Sequence, residues 1–255
     1  MKSANGKSPD ILGFSWDSAI IPAQIPVYSP RRACARFQRM LAEFVWDAGV
    51  LEDNPFTFAE VHTLLDGVTV GGHKLADQEQ IVNLAASCRH LLTLVKNERF
   101  RLDKETFCAM HNLVARNEAL EWGHFRGEGE ECRYTPEVAL GAAGRHRPPP
   151  TEKGAVELTR IFAGGVAAFS AQPPFARALA FFLFGALRQF FFDGNKRTSR
   201  LMMNGILMSH GIDAISVPAA KKLEFNEKMV RFYVSRDATE MMEFLVGCHP
   251  ELGEI

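Results

Sequence analysis

The chain lacks the features by which several common classes of protein are recognised. Its 29 basic and 30 acidic residues leave a formal net charge of −1, so no overall basic field attracts nucleic acid or an anionic membrane. Its 5 cysteines form no Cys-x-x-Cys pair, which favours reduced thiols over disulfides or a zinc site. The most apolar run, residues 178–192, is too short to span a bilayer, and the first residues lead into no signal segment. We therefore expect a cytoplasmic protein that binds neither nucleic acid nor membranes.

What the 255 residues do contain is a series of apolar stripes with helical spacing. One stripe comprises Phe37, Met40, Leu41, Phe44 and Val45, and others follow over residues 77–96, 175–189, 198–209 and 225–234. Ser29-Pro30, Thr57 with Glu60, and Asp103 have the form of helix N-caps. Short connections between most of these segments indicate antiparallel helices, so we predict a nearly all-α fold.

Two segments break the helical pattern. Residues 1–28 are rich in Gly, Pro and Ser, and we interpret them as an extended arm that precedes an N-terminal helical region at residues 29–101. The helical period is lost again over residues 118–150, where residues 138–140 and 145–147 could pair as a small hairpin.

Residues 189–200, Gln-Phe-Phe-Phe-Asp-Gly-Asn-Lys-Arg-Thr-Ser-Arg, carry the clearest chemical signal. A tight Gly turn that opens a helix presents free N–H groups and the positive end of the helix dipole, which together bind phosphates. Lys196, Arg197 and Arg200 add positive charge, and Asp193 is a natural ligand for Mg²⁺ on a phosphate. The stretch predicts a phosphate or nucleotide site; the alternative is a surface turn with solvated charges.

This stretch resembles the signature of Fic (Fido) proteins, His-Pro-Phe-x-Asp/Glu-Gly-Asn-Gly/Lys-Arg-x-x-Arg. The matching residues are Phe191, Asp193, Gly194, Asn195, Lys196, Arg197 and Arg200. Gln189 stands where the family has its catalytic His, and Phe190 where it usually has Pro. Residues 122–126, Trp-Gly-His-Phe-Arg, resemble the Gly-x-Phe-Arg element that precedes the family's flap, and the candidate hairpin falls at the flap itself.

The resemblance implies an all-α, Fic-type multi-helix core at residues 102–255, with one small β-hairpin flap and the N-terminal helices as an extension. It implies ATP and Mg²⁺ as cofactors and AMP transfer to a Ser, Thr or Tyr hydroxyl of a protein that docks at the flap near residues 137–147. A homodimer is one option for its assembly. The implied roles are Mg²⁺ binding for Asp193, α-phosphate contact for Asn195, binding of the α- and β-phosphates for Arg197 and the N–H groups of the turn at Gly194 and Lys196, and terminal-phosphate contact for Arg200.

Gln189 puts catalysis in question, because a carboxamide cannot accept the proton that an imidazole takes as a general base. Loss of a general base lowers a rate by about 10²–10⁴. Three interpretations stay open: a transferase with another base or another chemistry, a nucleotide-responsive pseudoenzyme that binds a partner by strand pairing at the flap, and an introduced His→Gln change.

Many members of the family carry an inhibitory helix with the motif Ser/Thr-x-x-x-Glu-Gly/Asn, whose Glu pairs with the second Arg of the signature. Residues 62–67, His-Thr-Leu-Leu-Asp-Gly, resemble this motif within a predicted helix at residues 57–67. Our hypothesis is that Asp66 pairs with Arg200. The alternative is that Asp66-Gly67 simply ends a helix.

Overall fold

The computed structural model describes residues 11–253, and within this range the chain is almost entirely helical. Its helices are α1 (Pro30–Arg39), α2 (Leu41–Leu51), α3 (Phe58–Leu65), α4 (Leu75–Lys96), α5 (Lys104–Val114), α6 (Val156–Phe169), α7 (Pro174–Arg188), α8 (Asn195–Ser209), α9 (Lys222–Ser235) and α10 (Thr239–Val246). The all-α prediction is therefore confirmed. The first ten residues of the predicted arm and the last two of the predicted core lie outside the described range.

A single small hairpin lies between α5 and α6 in the described range. Strands β1 (Val138–Ala139) and β2 (Arg145–His146) pair antiparallel, with Val138 opposite His146 and Ala139 opposite Arg145. A 3₁₀ turn over Gly141–Ala143 connects them. Gly144 follows with a φ of 89°, a backbone angle that residues other than glycine rarely adopt. The predicted hairpin is confirmed.

Helix starts in the N-terminal half follow the predicted caps. The Ser29 hydroxyl accepts from the Arg32 N–H at the start of α1, and the Asp103 carboxylate accepts from Thr106 at the start of α5. Thr57 forms a complete capping box at the start of α3. The apolar stripe from Phe37 to Val45 is divided between two helices, because Met40 separates α1 from α2.

Helices α7 and α8 form the centre of the core. Every residue of α7 from Ala178 to Leu187 is buried, which explains its nearly uninterrupted apolar sequence. A Cβ on Gly185 of α7 would lie 2.0 Å from the Ser199 hydroxyl of α8, so the glycine is what allows the two helices to approach so closely. No helix within residues 11–253 is both long enough and apolar enough to cross a membrane.

The segment before α1 runs along the last helices of the chain. Phe14 is buried with its ring centroid 5.4 Å from that of Phe232 in α9, and Ser15 forms a β-bridge with Asp237 just before α10. The N-terminal and C-terminal parts of the described chain are therefore packed as one body.

Candidate functional site

The loop between α7 and α8 is shaped by two residues in left-handed backbone. α7 ends at Arg188, Gln189 follows with a φ of 50°, and Gly194 has a φ of 70° immediately before α8. A Cβ on Gly194 would also lie 3.2 Å from the Cβ of Ala115, so a side chain there would be strained and crowded. The turn places the first N–H groups of α8, which have no acceptor inside the helix, and the positive end of its dipole at the loop.

Arg126 anchors the start of this loop through buried hydrogen bonds. Its side chain is fully buried and donates to the backbone carbonyl of Gln189 at 2.6 Å, to the Thr151 hydroxyl at 2.6 Å and to the carbonyl of Pro149. The Arg126 backbone N–H also donates to the carbonyl of Phe190 at 3.0 Å. Burial lowers the pKa of Arg126 to about 10. The Arg of the Gly-x-Phe-Arg element therefore fixes the start of the loop and does not bind phosphate.

His111 of α5 ties down the other end of the loop. Its Nε2 donates to the carbonyl of Asp193 at 2.9 Å, and its Nδ1 accepts from the Gly123 N–H at 3.1 Å. The imidazole stacks on the Phe191 ring with centroids 3.7 Å apart. Burial lowers the pKa of His111 to about 3, so the ring stays neutral and keeps this tautomer.

The amide of Gln189 is turned towards the protein. Its Nε2 donates to the carbonyl of Ala186 at 2.6 Å, and its Oε1 accepts from Asn195 Nδ2 at 3.0 Å. The Asn195 amide is engaged as well, because it also accepts from the N–H of Phe191 and donates to the Phe191 carbonyl, each at 2.9 Å. The side chain in the base position thus closes the turn through hydrogen bonds.

Arg197 is held by two carboxylates. Its Nη1 donates to Glu118 Oε2 at 2.6 Å, and its Nη2 lies 3.7 Å from Asp193 Oδ2. Its side chain is only 3% exposed. Burial lowers the pKa of Arg197, but the charges of Glu52 and Glu118 outweigh that effect and raise it. Arg197 therefore remains a buried, fully charged cation.

Glu52, at the end of α2, lies between the other two cations of the loop. Its Oε1 is 3.5 Å from Arg200 Nη2, and its Oε2 is 4.0 Å from Lys196 Nζ. Burial raises the pKa of Glu52, yet Lys196 and Arg200 outweigh burial and hold it below its ordinary value. Neither terminal nitrogen of Arg200 has a hydrogen-bond acceptor among the described residues. Arg200 therefore keeps the capacity to bind an incoming anion.

A cavity of about 250 Å³ separates the loop from the hairpin. Residues 192–197 and Gln189 form one wall, residues 136–139 of the hairpin form another, and Glu52 and Tyr233 complete the lining. Ligand pockets typically measure about 300–1,000 Å³, so a bound nucleotide needs the hairpin or Glu52 to move aside. The predicted phosphate-binding loop and the predicted flap thus line the same cavity.

The exposed carboxylate of Asp193 could bind a metal ion that is also held by the phosphates of a ligand. Asp193 is 65% exposed, and one of its oxygens accepts from the Gly194 N–H at 2.6 Å. Within residues 11–253 no group of three or more His, Cys, Asp or Glu side chains could hold a metal ion. Mg²⁺ needs no such cage, because it commonly binds one or two carboxylates together with substrate phosphates and water. Asp193 therefore fits as the single protein carboxylate on a phosphate-bound Mg²⁺.

The hypothesis that Asp66 pairs with Arg200 was wrong. Asp66 is 65% exposed and pairs with His62 at 3.2 Å, one turn earlier in α3. The carboxylate that faces Arg200 is Glu52, which the sequence analysis missed. Its sequence signal is a Glu that ends a helix four residues after the small residue Ala48, as the family motif spaces them.

Two histidines near the hairpin offer no replacement base. His146 is buried, and it donates to the carbonyl of Leu187 at 2.7 Å while accepting from Arg236 at 3.1 Å. His124 lies 3.2 Å from Glu121 and does not line the cavity.

Comparison with known proteins agrees with this architecture. Residues 101–207 match the model of the Fic/DOC family. The curated protein adenylyltransferase fic-1 of Caenorhabditis elegans is 24% identical over 197 residues, covering 74% of this chain and 36% of that protein. The chain therefore spans only about a third of that relative's length.

Solved structures show the same fold. A Fic family protein from Desulfovibrio desulfuricans G20 is 18% identical with a TM-score of 0.68, covering 88% of this chain and 70% of that one. A fragment of Fic-1 from Caenorhabditis elegans is also 18% identical, with a TM-score of 0.69 and coverage of 88% and 64%. Residues 101–207, which include the loop and the hairpin, thus match the Fic/DOC family, and most of the chain shares its fold with solved Fic structures.

Proposed function

We propose that the chain binds ATP with Mg²⁺ at the loop of residues 189–200 and transfers AMP slowly to a hydroxyl of a protein docked at the hairpin. The observation that carries this proposal is that one cavity is lined by both the hairpin and the cationic start of α8. The likeness to a protein adenylyltransferase supports the choice of reaction. All five cysteines are free, in keeping with a reducing, cytoplasmic setting.

The loop would bind the triphosphate mainly by charge and by backbone N–H groups. Arg197 and the first N–H groups of α8 would contact the α- and β-phosphates, and Arg200 the terminal phosphate. Asn195 would contribute its backbone N–H to the α-phosphate, because its side-chain amide already bonds to Phe191 and Gln189. Magnesium held by Asp193 would supply further neutralisation of the phosphate charge.

The transfer forms a bond between the hydroxyl oxygen and the α-phosphorus and breaks the bond to the oxygen that bridges to the β-phosphate, so pyrophosphate leaves. The hydroxyl proton must pass to water or to pyrophosphate, because Gln189 cannot accept it. The N–H of Gln189 that is left after its bond to Ala186 can still orient the hydroxyl. We expect a rate about 10²–10⁴ below that of a site with a general base.

Glu52 would keep the resting protein inactive. It is largely buried, ionised and 3.5 Å from Arg200, where a terminal phosphate would bring its own negative charge. A phosphate can reach Arg200 only when Glu52 leaves, because two anions near one cation repel each other. This is the role that the family's inhibitory Glu implies, carried by Glu52 instead of Asp66.

A second candidate function is a nucleotide-responsive binding module without turnover. It is favoured by the inward hydrogen bonds of Gln189 to Ala186 and Asn195, which fix the turn and leave little of the amide for a nucleophile. In that case the hairpin would recruit a partner strand when nucleotide binds.

Incubation with α-³²P-labelled ATP distinguishes the two candidates, using the native chain, Gln189→His and Arg197→Ala. Label on the native chain or on a lysate protein, lost in Arg197→Ala, supports the transferase. Label that appears only with Gln189→His supports the binding module. If neither the native chain nor Gln189→His takes up label or binds ATP, both proposals are wrong.

A further inference from the structure

We propose that Glu118 is a second inhibitory acid, which withholds Arg197 from phosphate and is released together with Glu52. The inference rests on the proposed function, since it concerns the regulation of the same nucleotide site. It adds a restraint on the first arginine of the loop, whereas Glu52 restrains the second.

Glu118 makes the shortest ion pair at the site. Its Oε2 accepts from Arg197 Nη1 at 2.6 Å, compared with 3.5 Å between Glu52 and Arg200. The Glu118 side chain is 13% exposed, and its Oε1 is buried without a hydrogen-bond partner among the described residues. An incoming phosphate must therefore compete with a largely buried carboxylate that already pairs with Arg197.

A chain of side-chain hydrogen bonds connects Glu118 to the end of α2. Gln80 of α4 donates to Glu118 Oε2 at 3.1 Å and accepts from Asn54 Nδ2 at 3.0 Å. Asn54 is buried and further anchored by the carbonyl of Asp77 and the N–H of Phe56. Since Asn54 follows Glu52 by two residues, any movement of the end of α2 acts on both acids.

This connection makes the two restraints cooperative. Withdrawing Glu52 from Arg200 displaces Asn54 from Gln80, and Gln80 then no longer fixes the carboxylate of Glu118. The two acids thus behave as one switch with a locked and an open state, and nucleotide binds the open state. In a structural role, by contrast, Glu118 would hold Arg197 ready for phosphate, and its loss would weaken nucleotide binding.

Titration calorimetry with Mg·ATP tests the switch on the native chain, Glu52→Gln, Glu118→Gln and the double variant. Gln80→Met breaks the connection without changing any charge. Asp53→Asn is the matched charge control, because Asp53 is adjacent to Glu52 but exposed and paired with Lys222. Thermal unfolding of each variant verifies that it is folded.

We expect Glu52→Gln and Glu118→Gln each to tighten binding about fivefold or more, a typical size for coupling between sites. The double variant should tighten it by less than the product of the two factors, because one switch can open only once. Gln80→Met should tighten binding as well, and Asp53→Asn should leave it within about twofold, as expected of a screened surface charge.

Weaker binding in Glu118→Gln, or tightening no larger than in Asp53→Asn, would overturn the proposal. A double variant that equals the product of the single effects would show two independent acids and overturn the coupling. If Glu118→Gln fails to fold, Gln80→Met decides, since unchanged binding there contradicts the switch. Mg·ATP binding that is absent in every variant would instead refute the proposed function itself.

Discussion

Gln189 closes the turn through hydrogen bonds but supplies no general base. The amide closes the turn through Ala186 and Asn195, and its left-handed backbone is one that Asn, Asp and His tolerate better than most residues. An imidazole at this position could keep one of these bonds and accept a proton with its other nitrogen. The conformation of the loop therefore does not require a base at position 189.

The variant Gln189→His should therefore gain activity with a defined pH dependence. Its AMP transfer should rise about tenfold per pH unit up to a pKa near 6.5 and level off above it, because only the neutral imidazole accepts a proton. The native chain should show no such inflection. Initial rates with labelled ATP from pH 5 to 8.5 give the profile, and a flat profile for Gln189→His would mean that the imidazole does not act as a base.

Phe190, in the position where the family usually has Pro, is part of the core. Its ring is fully buried, with centroids 4.9–5.9 Å from the rings of Phe107, Phe125, Phe162 and Phe184. Because the neighbouring rings pack around an aromatic side chain at this position, Phe190 favours natural divergence of the loop over an introduced change.

We expect Phe190→Ala to lower the free energy of unfolding by about 3–5 kcal/mol, as removal of a buried ring usually does. Urea denaturation measures the change, with Leu223→Ala at a 72% exposed position as the control. A loss below about 1 kcal/mol, the size of a typical surface effect, would contradict the assignment of Phe190 to the core.

At the scale of elements, α5 and α2 determine the state of the loop. α5 holds the loop through His111, and the segments that follow α5 and end α2 bring Glu118 and Glu52 to the arginines. All three contacts join residues far apart in the sequence, and this distance is what made them hard to foresee.

His111 should make stability depend on pH. Its pKa is about 3 in the fold against an ordinary value of 6.5, so between these values the unfolded chain binds the additional proton. Stability is complete above pH 6.5 and falls as the pH drops, by up to about 1.4 kcal/mol per pH unit from this one group.

Urea unfolding at several pH values between 7 and 4 checks this expectation. His111→Gln should be less stable than the native chain at pH 7, because the stacking on Phe191 is lost, and its stability should fall less steeply towards pH 4. The exposed His62→Gln is the matched control. Parallel curves for the native chain and His111→Gln would show that the histidine is not buried as a neutral ring.

The sequence predicted the elements better than the contacts between them. Helix starts at Ser29, Thr57 and Asp103 were predictable because a cap is a local interaction of a few residues. The inward hydrogen bonds of Gln189 were not, since they depend on the left-handed backbone at that residue. Asp66 resembled an inhibitory acid in sequence, but the helix orientation leaves it in solvent, and Glu52 takes the contact.

At the scale of the whole molecule, charge explains the resting state of the site. The cations Lys196, Arg197 and Arg200 are matched by the carboxylates of Glu52, Glu118 and Asp193. The near-neutral net charge of −1 fits this pattern, because the positive charge of the loop is balanced locally and not displayed as a basic surface. The proposed nucleotide binding would require an exchange of carboxylates for phosphates.

Nucleotide binding at the loop underlies both proposals, and titration calorimetry of Mg·ATP into Glu52→Gln, with and without Arg197→Ala, measures it. We predict saturable binding at one site in Glu52→Gln, tighter than in the native chain and lost when Arg197 is replaced. Absence of binding in a folded Glu52→Gln protein, or binding that survives Arg197→Ala unchanged, would show that the loop is not a nucleotide site.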